Sequence, residues 1–156
     1  YFKFYGPATI QDFCHWSGLP AGISREALAR LQPKLTEAMM DKRTLYAFGN
    51  IEIKNARRLS LLGKFDPLFV SYRHKEWIVN REQEKNIWRS AAPVEAVVLD
   101  GVNVVGTWRH ALKGKKMMIR IEPMIKIADV LKDRIQSKSQ KLARFWQKEL
   151  DAVIYE

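Results

Sequence analysis

One cysteine, Cys14, stands in 156 residues. No disulfide framework can form, and a lone thiol fits a reducing compartment, the cytoplasm. Histidine is also scarce. His15, His74 and His110 are scattered, and with a single cysteine they lack the ligand spacing of a zinc site, so neither a metal nor another cofactor is expected. Cys14 and His15 are neighbours on a presumed helix and point in different directions, which makes Cys14 a core residue. No apolar run approaches the roughly 20 residues of a membrane span, no secretory pattern opens the chain, and a membrane is not an expected partner. There is no Gly-rich phosphate loop, no internal repeat and no low-complexity tract. The chain starts at Tyr1 inside an amphipathic stretch, the expectation for a fragment or processed form.

What the chain has is positive charge. Lys and Arg total 27 against 17 Asp and Glu, a formal net charge of +10, and the pI is about 9.8. Such a surplus favours polyanionic partners, chiefly nucleic acid or an acidic membrane. It is unevenly placed: +4 over residues 1–62, zero over 63–100 and +6 over 101–156. Between 101 and 121 there is no acid at all, while Arg109, His110, Lys113, Lys115, Lys116 and Arg120 lie close together. A solvated hairpin and a phosphate-contacting edge both fit that stretch.

The apolar content, 47%, suits one compact domain or two small subdomains. Thr9 reads as an N-cap with Asp12 in the capping-box position. Ile10, Phe13 and Trp16 line one side of that short helix, and Gly18 supplies a left-handed stop. Ser24 is expected to cap a second helix carrying Leu28 and Leu31, with Leu35 beyond and Pro33 ending or kinking it. Arg25, Arg30 and Lys34 are left for its surface. Residues 35–53 change character. Met39, Met40, Leu45, Tyr46, Phe48, Ile51 and Ile53 suggest short strands around a turn at Asp41-Lys42-Arg43. Helix, helix, hairpin is the order of a winged helix, with Tyr1 to Tyr5 as the tail of its first helix.

The remainder reads as a β-rich half. Residues 59–69 look like an apolar connector, and 75–90 like loop or short helix. Val94 to Leu99, Val102 to His110 and Met117 to Ile121 read as strands. They turn at Asp100-Gly101 and at Lys113-Gly114-Lys115. Pro123 is expected to open a final helix reaching about Leu150, with Ile127, Leu131, Ile135, Leu142 and Phe145 as its apolar stripe. Lys126, Lys132, Lys138, Lys141 and Lys148 fall mostly elsewhere. The fold class is thus α+β: a winged helix over 1–58, then a small antiparallel sheet and a long C-terminal helix over 59–156. Asp66, in a Phe-Asp-Pro turn, reads as a turn or cap residue before a catalytic one.

Three groups of segments occur in order at compatible distances. The first is Tyr5-Gly6-Pro7-Ala8-Thr9 with Asp12-Phe13 and Trp16-Ser17-Gly18-Leu19. The second is Leu61-Leu62 with Phe65-Asp66-Pro67. The third is Leu99-Asp100-Gly101 with Val104-Val105-Gly106-Thr107-Trp108-Arg109. Together they resemble the winged-helix DNA-binding proteins related to the crosslink-repair DNA glycosylases of the YcaQ/AlkZ type, and the resemblance runs nearly end to end. The Gly-Thr-Trp-Arg ending looks closer to the uncharacterised winged-helix branch. The resemblance implies tandem winged helices followed by a β-rich part, with this chain as the C-terminal portion. It also implies a catalytic motif of glutamine, any residue, then glutamine or aspartate in the first winged helix. None of Gln11, Gln32, Gln83, Gln136, Gln140 and Gln147 has Gln or Asp two residues on, so no catalytic residue is assigned.

The expected function is a DNA-binding module that meets duplex DNA by backbone and shape contacts. The residues expected to contact nucleic acid are Arg25, Arg30 and Lys34 on the second helix, Lys42 and Arg43 at the wing, and Arg109, His110, Lys113, Lys115 and Lys116 on the second hairpin. A monomer is the expected state. One alternative is the C-terminal part of a DNA glycosylase for alkylated or crosslinked DNA, its glutamine motif lying outside these residues. Another is a protein-interaction winged helix.

Overall fold

The computed structural model describes residues 1–52, 58–89 and 94–156. The chain divides into two compact units, residues 1–54 with 67–75, and residues 55–66 with 76–156.

In the first unit, helix α1 (Ile10–Ser17) starts at Thr9 in a full capping box with Asp12 and stops at Gly18, whose φ is 70°. Helix α2 (Ala21–Leu31) begins three residues before the expected cap. Ser24 lies buried inside it, and its hydroxyl donates to the Pro20 carbonyl at 3.1 Å, so this serine bonds back along the helix instead of capping it. A 3₁₀ turn over Gln32–Lys34 carries Pro33 and leads into β1 (Leu35–Met40). Strand β2 (Arg43–Phe48) returns antiparallel, Met40 facing Arg43 and Leu35 facing Phe48. The turn rests on Asp41 and Lys42 at φ 48° and 62°, the double left-handed geometry that matches strand twist in a two-residue hairpin. Ile51 lies beyond β2, and Ile53 lies outside the described residues.

Ahead of α1, Ala8 exchanges backbone hydrogen bonds with Tyr46, at 3.1 and 2.8 Å, adding a one-residue third strand to the β1–β2 pair. That approach is close. A Cβ on Gly6 would sit 2.9 Å from the Tyr46 carbonyl oxygen and would run into that of Phe2. The core joins Phe2, Ala8 and Leu28 with Ile10, Phe13, Leu35, Tyr46 and Tyr72 around it. Leu31, expected inside, is largely exposed. Helix α3 (Pro67–Val70), directly after Asp66, buries Phe69.

The Asp12 side chain ties the backbone of Arg73 and His74 to α1. Asp12 is wholly buried. Its Oδ1 accepts from the backbone N–H groups of Arg73 (2.8 Å) and His74 (3.3 Å), and its Oδ2 from the N–H and hydroxyl of Thr9 (2.9 and 2.7 Å). Three backbone N–H groups and the Thr9 hydroxyl thus converge on its two oxygens, and the Thr9 hydroxyl in turn accepts from the Asp12 N–H at 3.1 Å.

The second unit holds a five-stranded sheet in the order β3-β4-β5-β6-β7. Its strands are β3 (Leu59–Leu62), β4 (Val97–Asp100), β5 (Asn103–Lys113), β6 (Lys116–Pro123) and β7 (Glu149–Tyr155). Neighbours are antiparallel except β6 and β7, which run parallel. The sheet is therefore mixed and larger than the small antiparallel one expected. The stretch that looks like a connector in the sequence forms strand β3. Within the stretch read as loop or short helix, the described residues 75–89 do form short helical pieces, a 3₁₀ turn at Lys75–Trp77 and α4 (Arg81–Ile87).

The final helix, α5 (Asp129–Phe145), is shorter than expected at both ends. Pro123 closes β6 instead of opening the helix. Gln147 turns left-handed at φ 55° and sends the chain into β7. Parallel strands need a crossover, and α5 is that crossover. It packs Ile135, Ser139 and Ala143 inward with Leu131 and Leu142 beside them. Phe145 follows Ile135 by ten residues, about 80° off that face at 100° per residue, and is 83% exposed. The core between helix and sheet comprises Val98, Val105, Trp108, Met117, Ile119, Ile121 and Ile135. Arg134 clamps α5 to the β4–β5 turn through both Asp100 oxygens, at 2.7 and 3.1 Å.

Replacing Asp12 by Ala leaves four donors without their acceptor and is expected to destabilise the first unit by about 3 kcal/mol or more. Asp12→Asn loses less, because its one oxygen can still accept from Arg73 and His74, while its amide nitrogen faces the Thr9 N–H and leaves that donor unsatisfied. Hydrogen exchange at Thr9, Arg73 and His74 measures this directly: amides that stay protected in both variants would show that the carboxylate holds nothing.

Candidate nucleic-acid interface

The expected contact residues fall on three surfaces. Arg25, Arg30 and Lys34 are exposed on α2 and the turn after it. The other two surfaces are turns, one in each unit.

In the first unit, Lys42 and Arg43 border a cavity of about 470 Å³. Its other walls are Ile10 and Gln11 of α1, Thr44 and Tyr46 of β2, and Arg73 with His74. The last two carry no local signal in the sequence. They arrive because the Asp12 carboxylate holds their backbone 61 and 62 residues away. Two tyrosines hold the same segment. The Tyr1 hydroxyl donates to the Ser71 carbonyl at 3.0 Å, and the Tyr72 hydroxyl to that of Tyr5 at 2.6 Å. Cations from the β1–β2 turn and from this segment thus surround one hollow with hydroxyl and amide donors, a composition suited to an anionic oxygen-rich group.

In the second unit, the β5–β6 hairpin carries the acid-free stretch. Its turn is at Gly114, with φ 60°. Lys113 and Lys116 are paired across it, and all three lysines, 113, 115 and 116, are exposed. Lys116 is bound to Asp151 of β7 at 3.0 Å. That hydrogen bond, and then the aspartate's charge, raise the lysine's pKa. Lys148, which is not among the expected contact residues, reaches the turn from the far side of the crossover and donates to the Gly114 carbonyl at 2.9 Å.

Arg109 and His110 are placed differently. Arg109 Nη2 lies 3.0 Å from Oε1 of Glu95, a carboxylate 3% exposed, which Lys64 approaches at 3.5 Å and Arg89 at 3.8 Å. Arg89 also reaches Glu122 at 3.2 Å. Arg109 is therefore committed to its own protein in a way that Lys113 and Lys115 are not. His110 meets the Trp146 indole edge to face at 4.7 Å between centroids.

Among the described residues, no group of three or more His, Cys, Asp or Glu could hold a metal ion, and no helix is long and apolar enough to cross a membrane.

The fold and these cationic turns define a strongly basic α+β module. A family model described as DNA glycosylase AlkZ-like matches residues 1–145, and the chain belongs to that family. No curated protein matches the sequence. Among solved structures, Streptomyces sahachiroi DNA glycosylase AlkZ is similar, with a TM-score of 0.79 at 20% sequence identity. The match covers 97% of this chain and 42% of that one, so the chain spans less than half of that relative's length. Likeness at this identity concerns the fold.

The tyrosines that hold the 71–74 segment also give a pH dependence. Burial, and then the charge of Asp12, raise the pKa of both Tyr1 and Tyr72 above the ordinary 10.0. A phenol whose folded pKa lies above its unfolded one contributes its full stabilisation below the unfolded value. That contribution is lost as pH rises through the folded value. The first unit should therefore hold its stability through neutral pH and weaken above about pH 10, with a shallower decline in Tyr72→Phe. Urea midpoints followed into the alkaline range give the answer; a flat profile contradicts the assignment.

Proposed function

We propose that the chain is a DNA-binding module that meets duplex DNA mainly through its phosphates, with residues 1–58 acting as a winged helix. In that reading Ala8, β1 and β2 form the small sheet, α1 and α2 the helix pair, and Lys42-Arg43 the wing. The α2 surface with Arg25, Arg30 and Lys34 is then a second phosphate-facing edge, and residues 59–156 form the β-rich half. The observation that carries the proposal is the β5–β6 turn. The longest acid-free basic stretch of the sequence folds so that Lys113, Lys115 and Lys116 are exposed together at one tip. Each lysine that neutralises a phosphate releases condensed counterion and adds binding free energy without reading a base.

A second reading has specific support. The family is named for DNA glycosylases and the matched structure is more than twice as long. The chain is then the C-terminal part of an enzyme for alkylated or crosslinked DNA whose glutamine motif lies outside these residues. Both readings give these residues the same task, holding the duplex.

Changing Lys113, Lys115 and Lys116 together to Ala should weaken binding to unrelated duplexes about equally. It should also reduce the salt slope by roughly one unit for each phosphate no longer neutralised. Lys113 and Lys115 should account for most of the change, since Lys116 must exchange Asp151 for phosphate. Unchanged affinity and slope, with binding abolished by changes at Arg25, Arg30 and Lys34, makes the hairpin a solvated edge. If neither set matters, a protein partner replaces DNA. Separately, the chain alone incubated with alkylated or crosslinked duplex should leave no abasic sites above background. Product that disappears on mutating one of these residues would place the chemistry here.

A further inference from the structure

Beside the basic hairpin the second unit has a cavity of about 460 Å³ whose walls include Trp108, His110 and Trp146, with Lys64 and Arg109 also lining it. Nothing in the phosphate-binding reading uses it. Its rings form a continuous set. Trp108 and His110 have centroids 6.0 Å apart, and His110 meets Trp146 at 4.7 Å. Trp108 is nearly buried, and its indole N–H is spent on the Leu62 carbonyl at 2.8 Å. Trp146 is 39% exposed and caps α5 where the helix gives way to β7. The cavity therefore offers aromatic surface without an indole donor at Trp108, which suits a flat apolar ring recognised by contact instead of by hydrogen-bond pattern.

The cations decide what that ring is attached to. Lys64, Arg89 and Arg109 surround one buried carboxylate, Glu95. Arg89 also pairs with a second, exposed carboxylate, Glu122, so three positive charges against two negative ones leave a surplus of one. Lys64 and Arg109 line the aromatic cavity while their side chains stay 46% and 55% exposed. An apolar peptide side chain has no use for that surplus; a nucleobase joined to a phosphodiester uses both halves of it.

We propose that this cavity receives one unstacked nucleotide of a bound DNA strand, its base against Trp146 and His110 and its phosphate toward Lys64 and Arg109. The inference rests on the reading of the chain as DNA-binding, and it assigns the cavity a preference for DNA in which a base already lies outside the stack. Such a base has less unstacking cost left to meet on entry.

The test compares a matched duplex with the same duplex carrying 2-aminopurine in a single-nucleotide bulge, titrated into the 156-residue chain. The chain should bind the bulged duplex about tenfold more tightly and quench its fluorescence as the base stacks on protein rings. Trp146→Ala should abolish the preference and the quenching while keeping matched-duplex affinity, which also certifies its fold. Trp146→Phe should retain part of both. Equal affinity for the two duplexes, with matched binding intact, overturns the nucleotide site and leaves the DNA-binding reading standing. A preference that survives Trp146→Ala places the base elsewhere and overturns it too. Failure to bind either duplex removes both proposals.

Discussion

Four donors converge on the Asp12 carboxylate, two from Thr9 at the start of α1 and two from the backbone of Arg73 and His74. Buried donors left without acceptors are costly, and a buried carboxylate is tolerated only when its oxygens are occupied. Each side of this arrangement therefore requires the other. The helix start is fixed because Asp12 is held from 61 residues away, and the 71–75 segment is fixed because α1 begins where it does. The cation-lined hollow of the first unit is a consequence: with their backbone held by Asp12, Arg73 and His74 line it together with Lys42 and Arg43.

The second unit reaches a comparable result through a crossover. Strand β6 leads through α5 into β7, and the return brings Asp151 to Lys116 and Lys148 to the Gly114 carbonyl. A hairpin alone would leave its turn supported only by its own two strands. Here the parallel strand covers the edge of β6, while β5 from Arg109 onward stays exposed. Covering one edge and leaving the other open holds the tip lysines out on a stiff support. A paired edge is also less available for non-specific strand addition.

Local signals are legible in the sequence and long-range ones are not. Thr9, Asp12 and Gly18 state the bounds of α1 in their own chemistry, and Asp100-Gly101 and Lys113-Gly114-Lys115 state two turns. Ser24 misleads because serine is both a good cap and, inside a helix, able to bond to the carbonyl four residues back. The last strand looks like a continuation of the helix because a lysine-rich amphipathic pattern runs up to Phe145 and nothing local announces the left-handed turn at Gln147. Strand β3, only four residues, has no period long enough to read; its identity comes from pairing with β4. The same limit applies to the candidate sites. The tip lysines lie close in sequence and are visible there. Arg73, His74, Lys148, Glu95 and Trp146 join their sites through tertiary contacts and are not.

The cations of this chain also differ in what a phosphate would have to displace. Lys116 is held by an exposed aspartate, and such a pair is screened by salt and readily exchanged. Arg109 is held by a carboxylate almost removed from water, and taking it away would leave that charge buried with weaker company from Lys64 and Arg89. Arg109 is thus tied to its own fold first, and its positive field reaches a ligand only as part of the cluster's surplus. Counting arginines and lysines from the sequence treats these as equal contributors. In the proposed reading they rank differently: the tip lysines follow a phosphate, and the cluster around Glu95 supplies a fixed field beside an aromatic hollow. A mobile cation adds affinity wherever a backbone passes. A fixed one adds it only where the ligand fits, so any discrimination among DNA forms by this unit would come from the second kind.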